Sequence, residues 1–164
     1  VRLLCERGET LAVAESCTGG QLASAIVDVP GCSACFLEGD VTYANDAKVR
    51  RLGVSPQTLA TQGAVSAACA REMAEGMRTA AGATYALATT GIAGPDGGTP
   101  DKPVGLVYAA LSAAGCTQVA ELRLSGDRAR VRTLAVLHAL DLLRRQLLGL
   151  PAAQSIVLET NECS

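Results

Sequence analysis

Residues 10–29 read TLAVAESCTGGQLASAIVDV, and this stretch decides the fold class. Residues 10–15 form a short apolar run, which is typical of a buried strand. Residues 16–20, SCTGG, have the composition of a turn. Residues 21–29 predict a helix that ends at Pro30 and Gly31. A buried strand that leads through a tight turn into a helix predicts an α/β fold.

The same alternation continues along the rest of the chain. We predict strands at 36–43 and 85–90, a hairpin of strands at 105–113 and 118–124, and helices at 1–7, 45–52, 66–79 and 127–148. Asn45 is expected to cap its helix. This order predicts a three-layer α/β/α fold with a mixed, mostly parallel sheet, because the hairpin reverses one strand. We expect one domain at 1–148 and a loose C-terminal tail at 149–164.

Composition excludes several classes of protein. The 164 residues carry a net charge of −2 and only 2% aromatic residues. Neither a basic surface for phosphates nor a set of stacking platforms for bases is expected, so direct nucleic-acid binding is disfavoured. No apolar run reaches the roughly 18–20 residues of a membrane span. The seven cysteines are scattered and odd in number, which favours free thiols in a cytoplasmic protein over a disulfide framework.

Functional groups are expected beyond the carboxyl ends of the parallel strands. The first such segment, 16–20, offers Ser16 or Cys17 as a nucleophile on a tight turn. Backbone N–H groups of Thr18, Gly19 and Gly20 could stabilise an oxyanion there. The simpler interpretation is an ordinary glycine-rich turn between a strand and a helix.

The second segment, 43–48, contains a lysine where a helix is expected to begin. If Asn45 is the cap, Lys48 lies in the first helical turn, where the helix dipole lowers its pKa. Lowering a lysine pKa from about 10.4 to about 7 requires roughly 4–5 kcal/mol, and the dipole supplies at most about 2 kcal/mol. Burial must therefore supply the rest if Lys48 is a general base. The alternative is a solvated surface lysine.

The third segment is the glycine- and proline-rich loop at 91–104, which follows Thr90. The Thr90 hydroxyl and the Gly91 N–H are candidate contacts to a ligand. Arg128, at the start of the last helix, is a candidate clamp for an anionic group, or else part of a solvated basic turn. Cys32 and Cys35 have CxxC spacing, but a single pair without histidine is weak evidence for a metal.

Six segments in order resemble the CinA C-terminal domain family. They are AESCTGG at 14–20, VTYANDAK at 41–48, GAVS at 63–66, TGIAGPDGG at 90–98, KPVG at 102–105 and SGDR at 125–128. The resemblance covers residues 1–148 and implies a mixed five-stranded sheet. It also implies an activity, since stand-alone members of the family are nicotinamide mononucleotide deamidases. These hydrolyse the carboxamide to nicotinic acid mononucleotide and ammonia, a step that recycles pyridine nucleotides.

The resemblance also implies roles for particular residues. It places the nucleophile at Ser16, the lysine at Lys48, an associated tyrosine at Tyr43 and a loop hydroxyl at Thr90. It implies no metal and no cofactor, and we expect a small nucleotide substrate, no membrane partner and a homo-oligomer. A second hypothesis is a non-catalytic module that serves competence or recombination. In that case Ser16 and Lys48 would be dispensable.

Overall fold

The five strands expected from the sequence form a single sheet in the computed structural model, which describes residues 1–151. The strands are β1 Leu11–Glu15, β2 Phe36–Val41, β3 Tyr85–Gly91, β4 Leu106–Ala113 and β5 Cys116–Arg123. The helices are α1 Arg2–Arg7, α2 Gln21–Val27, α3 Asn45–Leu52, α4 Pro56–Thr61, α5 Ala67–Ala81 and α6 Arg128–Leu148, with a short 3-10 helix at Cys32–Ala34. Of the tail predicted at 149–164, residues 152–164 lie outside the described residues.

The sheet has the strand order β2-β1-β3-β4-β5. Strand β1 pairs in parallel with both β2 and β3, whereas β4 pairs antiparallel with both β3 and β5. Strand β4 is therefore the one reversed strand, and the predicted mixed, mostly parallel sheet is confirmed. The carboxyl ends of β1, β2 and β3 lie side by side at one edge, where the three candidate segments begin.

Helices cover both faces of the sheet. Alternation along β1 directs Leu11 and Val13 to the core shared with α2 and α6, and directs Ala12 and Ala14 to the core shared with α5. The alanine face lets α5 lie close to the sheet. Gly76 of α5 in turn lets α3 approach, because a Cβ there would lie 1.8 Å from the Leu52 carbonyl oxygen.

Three of the helix N-termini are capped by side chains. Ser55, Ser66 and Asp127 each accept a hydrogen bond from a backbone N–H of the helix that follows. The predicted cap at Asn45 is wrong, since Ala44 is the N-cap and Asn45 is the first helical residue. The Ala44 carbonyl already accepts from the N–H of Lys48, so the helix starts one residue earlier than expected.

The cysteines depart from the sequence prediction at one position. Cys116 is disulfide-bonded, so the expectation of free thiols fails at this residue. Cys5, Cys17, Cys32, Cys35 and Cys69 are free thiols.

Within residues 1–151, none of the helices has both the length and the apolar character that a bilayer span requires.

Candidate functional site

Lys48 and Ser16 meet at the carboxyl edge of the sheet. The Lys48 side chain is only 1% exposed, and its Nζ lies 3.1 Å from Ser16 Oγ. Nζ also lies 2.7 Å from the Thr42 carbonyl oxygen and 3.2 Å from the Tyr43 carbonyl oxygen. The turn after β1 and the segment after β2 are thus joined by one buried amine.

Lys48 reaches this position because of where α3 begins and how it packs. With Ala44 as the cap, Lys48 is the fourth helical residue, one position later than the sequence predicted. A long side chain on a helix leans toward the N-terminus, which directs the amine back to the carbonyls of Thr42 and Tyr43. Burial lowers the pKa of Lys48 below its ordinary value of 10.5, as a general base requires.

The three partners suit both protonation states of the amine. A neutral Lys48 donates its two N–H bonds to the carbonyls of Thr42 and Tyr43, and its lone pair then faces Ser16 Oγ. A protonated Lys48 donates to all three oxygens. The site can therefore take the Ser16 proton and hold it without leaving a buried polar group unpaired.

Cys17 is the competing nucleophile, and its environment disfavours it. Cys17 lines the cavity beside the site, whereas the adjacent Ser16 is 9% exposed and directed at Lys48. Burial raises the pKa of the Cys17 thiol to about 11. Since the thiolate is the reactive form of cysteine, this thiol is a poor nucleophile near neutral pH.

Glu15 is a buried carboxylate beside the site that the sequence analysis missed. Its carboxylate is fully buried and accepts hydrogen bonds from the N–H groups of Gly20, Leu22 and Ala23 at 2.8–3.0 Å. The charge is compensated by the N-terminal turn of α2. An acidic residue at the end of an otherwise apolar strand, just before a glycine turn, is the signal that could have identified it.

Glu15 also changes which N–H groups remain for a substrate. The Gly20 N–H is used by Glu15, and the Gly19 N–H donates to the Ser16 carbonyl. Two of the three donors predicted for an oxyanion are therefore already occupied. The Thr18 N–H has no acceptor among residues 1–151, so it is the donor of the predicted set that remains.

The hydroxyls of the candidate loops hold these loops together. Thr18 Oγ1 lies 2.7 Å from Thr89 Oγ1, and Thr90 Oγ1 donates to the Ala64 carbonyl at 2.7 Å. Both Thr18 and Thr90 are buried. Their side chains tie the turn at 16–20 and the start of the 91–104 loop to the rest of the molecule.

A cavity of about 180 Å³ opens beside Ser16 and Lys48. Its lining includes Cys17, Tyr43, Gly91, Ile92, Ala93, Gly94, Asp96, Gly97 and Arg128. Arg128 is oriented by two contacts, a hydrogen bond of 2.8 Å to the Gly94 carbonyl and one of 3.4 Å to the Tyr43 hydroxyl. The Tyr43 side chain therefore meets Arg128, while its backbone carbonyl meets Lys48. Arg128 places one positive charge in the lining of this cavity.

Relatives of known sequence match most of the chain. Residues 1–147 match the CinA C-terminal domain. A CinA-like protein of Citrifermentans bemidjiense is 58% identical over 146 residues, which is 89% of this chain and 35% of the relative. A relative from Acetivibrio thermocellus is 53% identical over 149 residues, 91% of this chain and 36% of its own length. The chain thus spans about 36% of the length of such relatives.

Solved structures match the fold over nearly their whole length. The competence damage-inducible protein A of Klebsiella pneumoniae superposes with a TM-score of 0.87 and 41% identity, covering 90% of this chain and 91% of that chain. The competence/damage inducible protein CihA of Agrobacterium tumefaciens gives a TM-score of 0.86 and 44% identity, covering 88% of each chain.

Proposed function

The chain belongs to the CinA C-terminal domain family, and we propose that it is an amidohydrolase that converts nicotinamide mononucleotide to nicotinic acid mononucleotide and ammonia. The reaction class is supported by one observation above all, the buried Lys48 amine 3.1 Å from Ser16 Oγ. The substrate is supported by the six sequence segments that resemble the CinA C-terminal domain family, whose stand-alone members are nicotinamide mononucleotide deamidases. The proposed role is the recycling of pyridine nucleotides.

The first half of the reaction forms an ester on Ser16. Neutral Lys48 takes the hydroxyl proton as Ser16 Oγ attacks the carboxamide carbon. The carbonyl oxygen becomes an oxyanion, and we assign its stabilisation to the Thr18 N–H. As the tetrahedral intermediate collapses, Lys48 returns the proton to the departing nitrogen. The C–N bond breaks, ammonia leaves, and the acyl group stays on Ser16.

The second half releases the acid. Water occupies the position of the departed ammonia, and Lys48 takes one of its protons as the water oxygen attacks the ester. The C–O bond to Ser16 then breaks, and Lys48 returns the proton to Ser16 Oγ. The products are nicotinic acid mononucleotide and the original enzyme, so the protons balance.

Arg128 is the proposed contact for the phosphate of the substrate. Its guanidinium lines the cavity and is oriented by Gly94 and Tyr43. An oriented guanidinium suits a phosphate, since two N–H groups can bind two oxygens. On this proposal Tyr43 acts mainly through Arg128 and through its own carbonyl on Lys48, rather than by transferring a proton from its hydroxyl.

The names of the solved relatives suggest the competing function, a module for competence without chemistry. Such a module has no need of a buried amine. A lysine side chain costs free energy to bury, and a module without chemistry gives no compensating reason to place its nitrogen 3.1 Å from a serine hydroxyl. This cost favours the enzyme.

The test is ammonia release measured side by side with nicotinamide mononucleotide and with free nicotinamide. We expect turnover of the nucleotide, much weaker turnover of nicotinamide, and none of either by Ser16→Ala. Wild-type protein that releases no ammonia from the nucleotide would refute the assignment. Equal efficiency on both compounds would show that a contact between Arg128 and the phosphate contributes nothing to turnover.

A further inference from the structure

Four successive carbonyl groups in the connector between α4 and α5 are bound by side chains. Lys102 Nζ donates to the carbonyls of Gln62, at 2.5 Å, and Val65, at 2.7 Å. The Gly63 carbonyl accepts from the Ser66 hydroxyl at 2.8 Å. The remaining carbonyl, that of Ala64, accepts from Thr90, at the end of β3. We call residues 62–65 the connector.

Two of these donors, Thr90 and Lys102, flank the segment that forms part of the cavity wall. Thr90 immediately precedes the 91–104 loop, and Lys102 lies near its end. The loop residues between them that line the cavity are Gly91, Ile92, Ala93, Gly94, Asp96 and Gly97. The connector therefore holds this wall at both ends, and Arg128 holds it in the middle through the Gly94 carbonyl.

The local sequence is adapted to bring the Lys102 amine onto the connector. Gly63 has a φ of +78°, and a Cβ at this position would lie 3.3 Å from Lys102 Nζ. Thr99 and Lys102 also close a turn on each other, since the Thr99 N–H donates to the Lys102 carbonyl at 2.8 Å and the Lys102 N–H donates to Thr99 Oγ1 at 3.0 Å. This turn directs the lysine side chain back toward the connector.

We propose that Lys102 is a positioning residue, which fixes the cavity wall 91–97 in the conformation that receives the substrate. It is not among the residues that line the cavity, so it acts through the loop and not by contact with the substrate. The substrate part of this proposal rests on the proposed function. Loss of Lys102 is expected to weaken substrate binding while leaving the Ser16–Lys48 pair unchanged.

The variants are Lys102→Met, which keeps the aliphatic stem but removes all three donors, and Lys102→Arg, which keeps a cation with several donors. Arg51→Met is the matched control, because it removes an exposed cation from α3. In Lys102→Met we expect KM for nicotinamide mononucleotide to rise about 10-fold or more, the loss expected when contacts worth about 1.4 kcal/mol are lost. The pH profile of kcat should not change, and Lys102→Arg should recover most of the binding.

Hydrogen exchange of the backbone amides gives a second readout that needs no activity. Amides of residues 92–101 should exchange faster in Lys102→Met than in wild type, Lys102→Arg or Arg51→Met, whereas those of β3 should not change. Unchanged exchange of the loop would overturn the proposal, and so would faster exchange with unchanged KM. If wild-type protein fails to hydrolyse the nucleotide, the proposed function fails separately, and the exchange result still decides whether Lys102 holds the loop.

Discussion

Gly76 of α5 lies directly against the carbonyl of Leu52, the last residue of α3, so closely that an added Cβ would be 1.8 Å from the Leu52 oxygen. The same helix α3 carries Lys48 one turn earlier. The glycine is therefore the contact that sets how far α3, and with it the amine, approaches the sheet.

Gly76→Ala should impair activity at a distance from the reacting atoms. The methyl group must push α3 outward, and overpacking of this kind costs about 1–3 kcal/mol of unfolding free energy. A shift of about 1 Å in a catalytic group can cost roughly 100-fold in rate. We expect both losses, measured by urea unfolding and ammonia release. Glu75→Ala, an exposed neighbour, is the control, and a fully active Gly76→Ala would show that α3 does not set the position of Lys48.

Ser16→Ala and Cys17→Ala separate the two possible nucleophiles. Ser16→Ala should lower kcat by at least about 10³-fold, since the residues of such a pair act as a unit. Cys17→Ala should retain activity within about 10-fold, because burial holds the pKa of that thiol at about 11. Steady-state ammonia release measures both. An inactive Cys17→Ala beside an active Ser16→Ala would reverse the assignment.

Arg128→Met and Tyr43→Phe test the contact to the phosphate. A lost charged hydrogen bond costs about 1.5–3 kcal/mol, so KM in Arg128→Met should rise about 10- to 100-fold with a smaller change in kcat. Tyr43→Phe should show the same pattern more weakly, because its hydroxyl lies 3.4 Å from Arg128. Arg130→Met, two residues further along α6, is the control. A collapse of kcat in Tyr43→Phe would instead place its hydroxyl in the chemistry.

Stability should depend on pH through Lys48. Burial lowers its pKa in the folded protein, so between the folded pKa and the ordinary value of 10.5 the unfolded chain binds more protons. Stability must then rise with pH across that window, by up to about 1.4 kcal/mol for each unit by which the pKa is lowered. Urea unfolding of wild type and Lys48→Met at several pH values isolates this contribution.

The expected result is a difference between wild type and Lys48→Met that grows in favour of wild type as pH rises. The absolute stability of Lys48→Met is set by two opposing effects. It removes the cost of a buried amine, but it leaves the carbonyls of Thr42 and Tyr43 without that donor, at about 1–3 kcal/mol for each buried group. A difference that stays constant or falls with rising pH would show that burial does not lower this pKa.

The sequence predicted the fold well because its signals are local. Short segments bounded by turn residues predicted all five strands, and the predicted hairpin accounts for the single reversed strand β4. The approach of Ser16 and Lys48 followed from a general rule, that loops after parallel strands meet at one edge. Asn45 was assigned wrongly as a cap because the helix start is decided by which carbonyl accepts the first bond, and side-chain preference is a weak guide to that.

The missed residues depend on the path of the chain in three dimensions. Glu15 reaches N–H groups five to eight residues away because the turn at 16–20 doubles back, and no periodicity predicts that reach. Lys102 binds carbonyls 37 and 40 residues earlier in the chain. Both are charged residues in or beside otherwise apolar or glycine-rich segments, and their partners become apparent only once the backbone is folded.

The central claim is that Lys48 is a neutral amine at working pH, and its titration can be observed directly. Lys48 and Lys102 are the only lysines in the sequence. Protein labelled with ¹⁵N and ¹³C at lysine therefore gives two side-chain signals by NMR, and the spectrum of Lys102→Arg assigns them. Followed from pH 6 to pH 11, the Lys48 signal should titrate well below the ordinary lysine value of 10.5. A Lys48 signal whose titration midpoint lies at or above that value would contradict the mechanism.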